Sequence, residues 1–167
     1  MGRDRKNEEQ SEHWTKMIRS MMEAPAWRAL SSTAQALYPW VKLEWKGPKA
    51  NNNGKISLPV RVASEQLGSG KDAVARAFHD LQAKGFLVLR EHGRMGVEGK
   101  GAPPTYEITE LAMPGNTVGS KLYLSWQPGS DFPVRGHAPA NPTGKNGKNK
   151  TPSSKLGRNV IKMRTKT

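Results

Sequence analysis

The chain contains no cysteine. That excludes a disulfide framework, a thiolate zinc site, an iron–sulfur cluster and a cysteine nucleophile. It also lacks a long apolar run. The longest, Phe86-Leu87-Val88-Leu89, falls far short of the ~20 residues that a membrane helix needs. The first residues, Met1-Gly-Arg-Asp-Arg-Lys-Asn-Glu-Glu, have none of the apolar core of a secretory signal. The expectation is a cytoplasmic chain, nucleoid-associated, with no membrane partner. Acid is missing too, but from one end alone: residues 135–167 carry nine Lys and Arg and no Asp or Glu.

What is present is basic charge. The 167 residues hold 27 Lys and Arg against 14 Asp and Glu, a net charge of +13. Such a balance points to a polyanionic partner. The excess is unevenly spread, because residues 1–134 keep 18 of the basic residues and all 14 acidic ones, a net of +4. The other nine are Arg135, Lys145, Lys148, Lys150, Lys155, Arg158, Lys162, Arg164 and Lys166. They sit among Gly, Asn, Pro, Ser and Thr, a composition too poor in apolar surface to offset the entropy of ordering. We read residues 135–167 as a disordered basic tail. It is either a solubilising extension or an arm that adds sequence-independent phosphate contacts. Leu156, Val160, Ile161 and Met163 form a possible short amphipathic element within it.

The remainder divides into an N-terminal segment (1–24), a central domain (25–110) and a covering segment (111–134). Trp14, Met17, Ile18, Met21 and Met22 recur at helical spacing, which predicts an amphipathic helix over 8–23. Its apolar face would pack on the domain's own core or form a homodimer interface, and Pro25 would break it. A second helix is expected from the Ser31-Ser32-Thr33 cap to about Trp45, with Leu30, Ala34, Leu37, Tyr38, Val41 and Trp45 inward and an altered turn at Pro39. Asn53-Gly54 is a strong turn dipeptide, and Lys55–Leu58 reads as a short strand.

Pro59–Gly85 is the most informative stretch. Pro59–Leu67 reads as a short helix with proline in its first turn. Gly68-Ser69-Gly70 is a tight turn, and Lys71–Lys84 a longer helix that Gly85 stops. Val62, Ala63 and Leu67 face inward from the first, and Val74, Ala77, Phe78 and Leu81 from the second. Two strands follow, Phe86–Arg90 and Thr105–Thr109, the latter with Tyr106 and Ile108 inward. Between them lies a loop, 91–104, with four glycines and two prolines. Lys121–Trp126 is expected to cover part of the core.

In its order of elements, Pro59–Gly85 resembles the helix-turn-helix of bacterial winged-helix proteins, with Ala63, Gly68, Val74 and Leu81 in the usual structural positions. The run from Pro25-Ala-Trp-Arg-Ala-Leu30 to Tyr106-Glu-Ile-Thr109 resembles a family of small bacterial helix-turn-helix proteins found on alphaproteobacterial plasmids, prophages and chromosomes. It is also similar to the DNA-binding module of plasmid replication initiators. The resemblance covers about half of the chain. It implies an α+β winged helix-turn-helix fold, to which the helix read over 8–23 and the basic tail read over 135–167 are additions. It also implies sequence-specific binding of double-stranded DNA, most often for transcription regulation. Gly70 departs from the pattern. Ser or Thr is usual there as helix cap, so a hydroxyl for a phosphate is lost while the cap itself is preserved.

A recognition helix shows its first turns to the major groove. Taking the inward set away leaves Lys71, Asp72, Ala75, Arg76 and His79 as base-reading candidates. Arg76 leads, because a guanidinium can pair with guanine O6 and N7 together. Asp72 also suits the positive end of the helix. Arg61, Ser64 and Ser69 are candidates for the phosphate backbone. Arg94 and Lys100 are the expected loop contacts, with Arg90 and His92 at the base of the loop. Replication initiation, recombination or excision, and a protein-contact role through Trp14, Met17, Met21 and Met22 are alternatives.

Nothing suggests catalysis. His13, His79, His92 and His137 lack metal-ligand spacing, and no P-loop or nucleophile elbow occurs. We expect no enzyme activity, no cofactor, no metal and no small-molecule ligand.

Overall fold

In a computed structural model, which describes residues 13–94 and 101–135, the protein is a mixed α+β structure. Five helices precede a two-stranded antiparallel sheet: α1 Arg19–Met22, α2 Pro25–Arg28, α3 Ser32–Leu43, α4 Val60–Leu67 and α5 Lys71–Ala83, then β1 Leu87–Glu91 and β2 Thr105–Ile108. A 3₁₀ turn at Leu122–Leu124 closes over the rest. Among the described residues, no helix is long and apolar enough to cross a membrane.

The helices start where local chemistry predicts. The Ser31 hydroxyl accepts the Ala34 N–H at 3.3 Å and opens α3. The α3 helix continues through Pro39, one turn before its end. Gly68 adopts a left-handed conformation (φ +60°) at the end of α4, which glycine enters without steric cost. Gly85 does the same (φ +77°) after α5. A β-carbon on Gly85 would also lie 2.9 Å from the Tyr123 backbone nitrogen, so this turn has no room for a side chain.

The period-3.6 stripes bury within α3 and α5, while Trp45, beyond the end of α3, and Val62 and Leu67 of α4 are half-buried. Ala34, Leu37, Tyr38 and Val41 of α3 and Val74, Ala77, Phe78 and Leu81 of α5 are fully buried, and α5 packs on α3 and α4. Trp27, Tyr38 and Phe86 meet edge to face at 5.4–5.6 Å. Tyr123 stacks on Phe86 at 4.8 Å and Phe78 on Tyr106 at 5.2 Å. Tyr123 and Trp126 are buried, so Lys121–Trp126 covers part of the core.

Several expectations need correction. The helix over 8–23 shrinks to the four residues of α1 in its described part. Residues 13–18 form neither helix nor strand, Trp14 is 76% exposed, and Met17 and Ile18 reach the core from non-helical backbone. In this non-helical stretch the carbonyl of Lys16 accepts a hydrogen bond from the Lys42 ammonium. Pro25 ends α1 but also begins α2, since a first-turn position needs no N–H. Pro59 likewise stands just ahead of α4 as its cap residue. Lys55–Leu58 is not a strand. Its ladder reduces to one bridge, Ile56 to Tyr106, although Ile56 and Leu58 are buried as expected. Finally, the alternation along β2 stops short, because Glu107, Thr109 and Glu110 are buried along with Tyr106 and Ile108.

Buried polar groups tie the segments together. Asn53 is 1% exposed. Its amide donates to the carbonyls of Ile108 and Leu111 at 3.0 and 2.9 Å, and its oxygen accepts the Ile108 N–H at 2.8 Å. Asn53→Ala leaves these backbone groups without partners and is expected to cost about 2–3 kcal/mol, read as a lower urea midpoint at unchanged slope. Loss under ~0.5 kcal/mol would contradict this role.

All three tyrosines of the chain lie against this core. Burial pushes the Tyr106 hydroxyl up to about 12. Burial, followed by the Glu110 carboxylate, holds Tyr38 well above the ordinary tyrosine range and raises Tyr123 as well. The unfolded chain sheds these protons from about pH 10, while the folded chain retains them. Stability is therefore intact below pH ~10 and falls as pH rises toward the folded values. Tyrosinate absorbance should appear at higher pH in the folded chain than in urea; coincident titrations would contradict the burial.

Candidate nucleic-acid interface

The solvent face of α4 and α5 is built by subtraction. The inward stripe takes Val74, Ala77, Phe78 and Leu81, so Lys71, Ala75 and His79 line up one turn apart on the other side, with Asp72 and Arg76 beside them. Lys71, Asp72 and Arg76 are exposed; Ala75 and His79 are half-buried. Arg61 on α4 is exposed. Among the described residues, Lys71, Arg76 and Arg61 take part in no ion pair. By contrast, Lys42 and Lys84 are committed within the fold, to Glu110 and Asp131, both at short range.

The turn between the helices is closed by its own side chains. The Ser64 hydroxyl donates to the Ser69 carbonyl at 2.6 Å, and the Ser69 N–H donates to the Ser64 carbonyl at 3.1 Å. The Ser69 hydroxyl donates to the Leu67 carbonyl at 3.4 Å. Both hydroxyls thus spend their protons on the turn, so as phosphate donors Ser64 and Ser69 are poorer candidates than Arg61. Gly70 precedes α5 with extended backbone and brings no capping side chain. The helix is aimed from behind by Asp80, whose carboxylate accepts the Ser31 N–H at 2.7 Å and joins α5 to the start of α3.

The hairpin carries the second set of candidates. Leu87, Val88 and Leu89 pair with Ile108, Glu107 and Tyr106. Glu91 then pairs with Thr105, which leaves Arg90 as the extra residue of a β-bulge. Arg90 is not an open charge: its guanidinium binds the buried Glu107 carboxylate, which also accepts from Ser120. At the base of the loop, Arg90 thus remains exposed but has its charge paired within the hairpin. Arg94 continues the hairpin, exchanging two 2.8 Å backbone hydrogen bonds with Ala102, and its side chain is exposed, as is His92. Lys100 lies outside the described residues, as does His137.

One basic residue was missed as a site candidate. Arg135 belongs to the folded body, in a shallow cleft with Ala75 and His79 of α5 and His92 and Gly93 of the hairpin. Its place in a run of tail-like composition concealed this; the signal was Phe132-Pro133-Val134, the last apolar cluster before the tail. Compared with known protein families, curated proteins and solved structures, the chain matches none.

Proposed function

We propose that the protein binds double-stranded DNA sequence-specifically, as a winged helix-turn-helix regulator. In this reading α5 enters the major groove and the hairpin of β1 and β2, with its loop, lies on backbone or minor groove. The observation that carries it is the exposed face of Lys71, Asp72 and Arg76 on a helix set behind a glycine turn, with the cations uncommitted to ion pairs within the described residues. An arginine so placed can address guanine O6 and N7 together. Arg61 and Arg94 flank it as phosphate contacts.

Selection of bound sequences from random duplexes tests the proposal. It predicts a recovered motif with guanine opposite Arg76. Recovery of no motif, with binding of all duplexes alike, would contradict it. The same contacts would serve an initiator or an excision factor, which would protect clustered repeats where a regulator protects one site.

Trp14, 76% exposed beside half-buried Met17, favours a second reading, contact with a partner protein or a second copy. Under that reading alone, no DNA binding appears even at ~50 mM salt, where phosphate contacts are strong.

A further inference from the structure

Asn53 is followed directly by Gly54. Asparagine is a chemically labile side chain, and most so before glycine, where no β-carbon shields the next backbone nitrogen. That nitrogen can attack Cγ of Asn53. A bond from the Gly54 nitrogen to Cγ forms and the Cγ–Nδ2 bond breaks. The Nδ2 group leaves as ammonia, taking up the proton of the Gly54 amide. Water then opens the resulting succinimide at either carbonyl, giving aspartate or isoaspartate.

The fold keeps each participant from this reaction. Asn53 is 1% exposed, which shuts out the water and base that the steps require. Its Nδ2 donates to the carbonyls of Ile108 and Leu111, and its Oδ1 accepts the Ile108 N–H, so the side-chain amide is pinned at both ends. The Gly54 N–H donates to Oδ1 of Asn53 at 3.1 Å. The nitrogen thus turns its proton, and not a lone pair, toward the group it would attack. Gly54 has left-handed backbone (φ +89°), and a β-carbon on it would lie 2.7 Å from Cε of Met113. The turn therefore requires the same glycine that lays Asn53 open to attack once the chain unfolds.

The product does not suit the place of the amide. An aspartate sets carboxylate oxygen against the carbonyl oxygens of Ile108 and Leu111, where N–H donors stood, and buries a charge. Isoaspartate adds a methylene to the main chain inside the turn that the Lys55 N–H closes on the Asn52 carbonyl at 2.9 Å. We propose that Asn53-Gly54 is a one-way modification site gated by folding. It is inert in the folded domain, reactive once the domain opens, and destabilising after conversion. A copy that has opened and reacted opens more readily thereafter. The proposal stands apart from the reading of α5.

The test incubates the full chain in mildly alkaline buffer, folded and in urea. Peptide mass spectrometry locates conversion at Asn53, and an isoaspartate methyltransferase separates the two acids. Asn146-Gly147, outside the described residues, gives a reference rate in urea. Asn53 should keep pace with Asn146 in urea. In buffer it should convert at least about a hundredfold more slowly than in urea, since reaction waits for opening against much of the fold's stability. A partly converted sample is then held at the urea midpoint of the unconverted chain and pulsed with protease. Its resistant fraction should be depleted in converted chains by about tenfold or more. An Asn53 that lags Asn146 in urea, a smaller ratio between urea and buffer, or converted chains that resist protease in proportion to their abundance would overturn the proposal.

Discussion

Replacing Glu110 with alanine is expected to destabilise the protein by about 3–5 kcal/mol, a large share of the ~5–15 kcal/mol that holds a typical domain folded. Lys42 and Glu110 are both almost completely buried. The ammonium donates to the two carboxylate oxygens at 2.9 and 2.8 Å and to the carbonyl of Lys16. The Tyr38 hydroxyl donates to the same carboxylate at 2.7 Å. Removing the carboxylate leaves a charged amine in the core with a single acceptor and orphans the tyrosine hydroxyl. The desolvation cost already incurred is then no longer offset. The double variant Lys42→Met with Glu110→Gln removes the charge and keeps an acceptor for Tyr38, so it should recover most of the loss. Urea unfolding of the two variants decides. Equal destabilisation would mean that volume and not charge is at stake.

Replacing Arg76 with alanine is expected to act on recognition and leave stability nearly untouched, since its side chain is exposed. A guanidinium that pairs with guanine contributes about 1–3 kcal/mol of discrimination, so the preferred duplex should bind about 5- to 150-fold more weakly. Unrelated duplexes should lose far less, because the phosphate contacts proposed for Arg61 and Arg94 would remain. Adding Lys71→Ala should erode the remaining preference. Arg90→Ala should behave differently from both, as it releases the buried Glu107 carboxylate. Its cost should appear in unfolding before it appears in binding.

Much of this arrangement is legible in the sequence. Val74, Ala77, Phe78 and Leu81 reveal the inward face of α5 by their spacing alone, and with it the outward face. The Gly68-Ser69-Gly70 turn and the stop at Gly85 follow from backbone conformations that glycine alone enters freely. What stayed hidden depends on long-range partners. Lys42 lies on the inward side of α3, but its partner Glu110 is 68 residues away and no local pattern links them. The apolar spacing of Trp14, Met17, Ile18 and Met21 is real, yet the backbone over 13–18 is not helical, and Lys42, far off in sequence, binds the Lys16 carbonyl there. Arg90 reads as a free cation until the bulge turns it onto Glu107. Arg135 reads as tail until Phe132 is seen docked on Ala83.

The central claim, that the exposed face of α5 reads duplex sequence, is tested most directly by the ratio of dissociation constants for a random and a selected duplex. It should be measured at one salt concentration for the full chain and for Lys71→Ala with Arg76→Ala. The account predicts a large ratio for the parent chain that collapses toward one in the variant, with binding to the random duplex weakened far less. A variant that keeps the parent's ratio would contradict it.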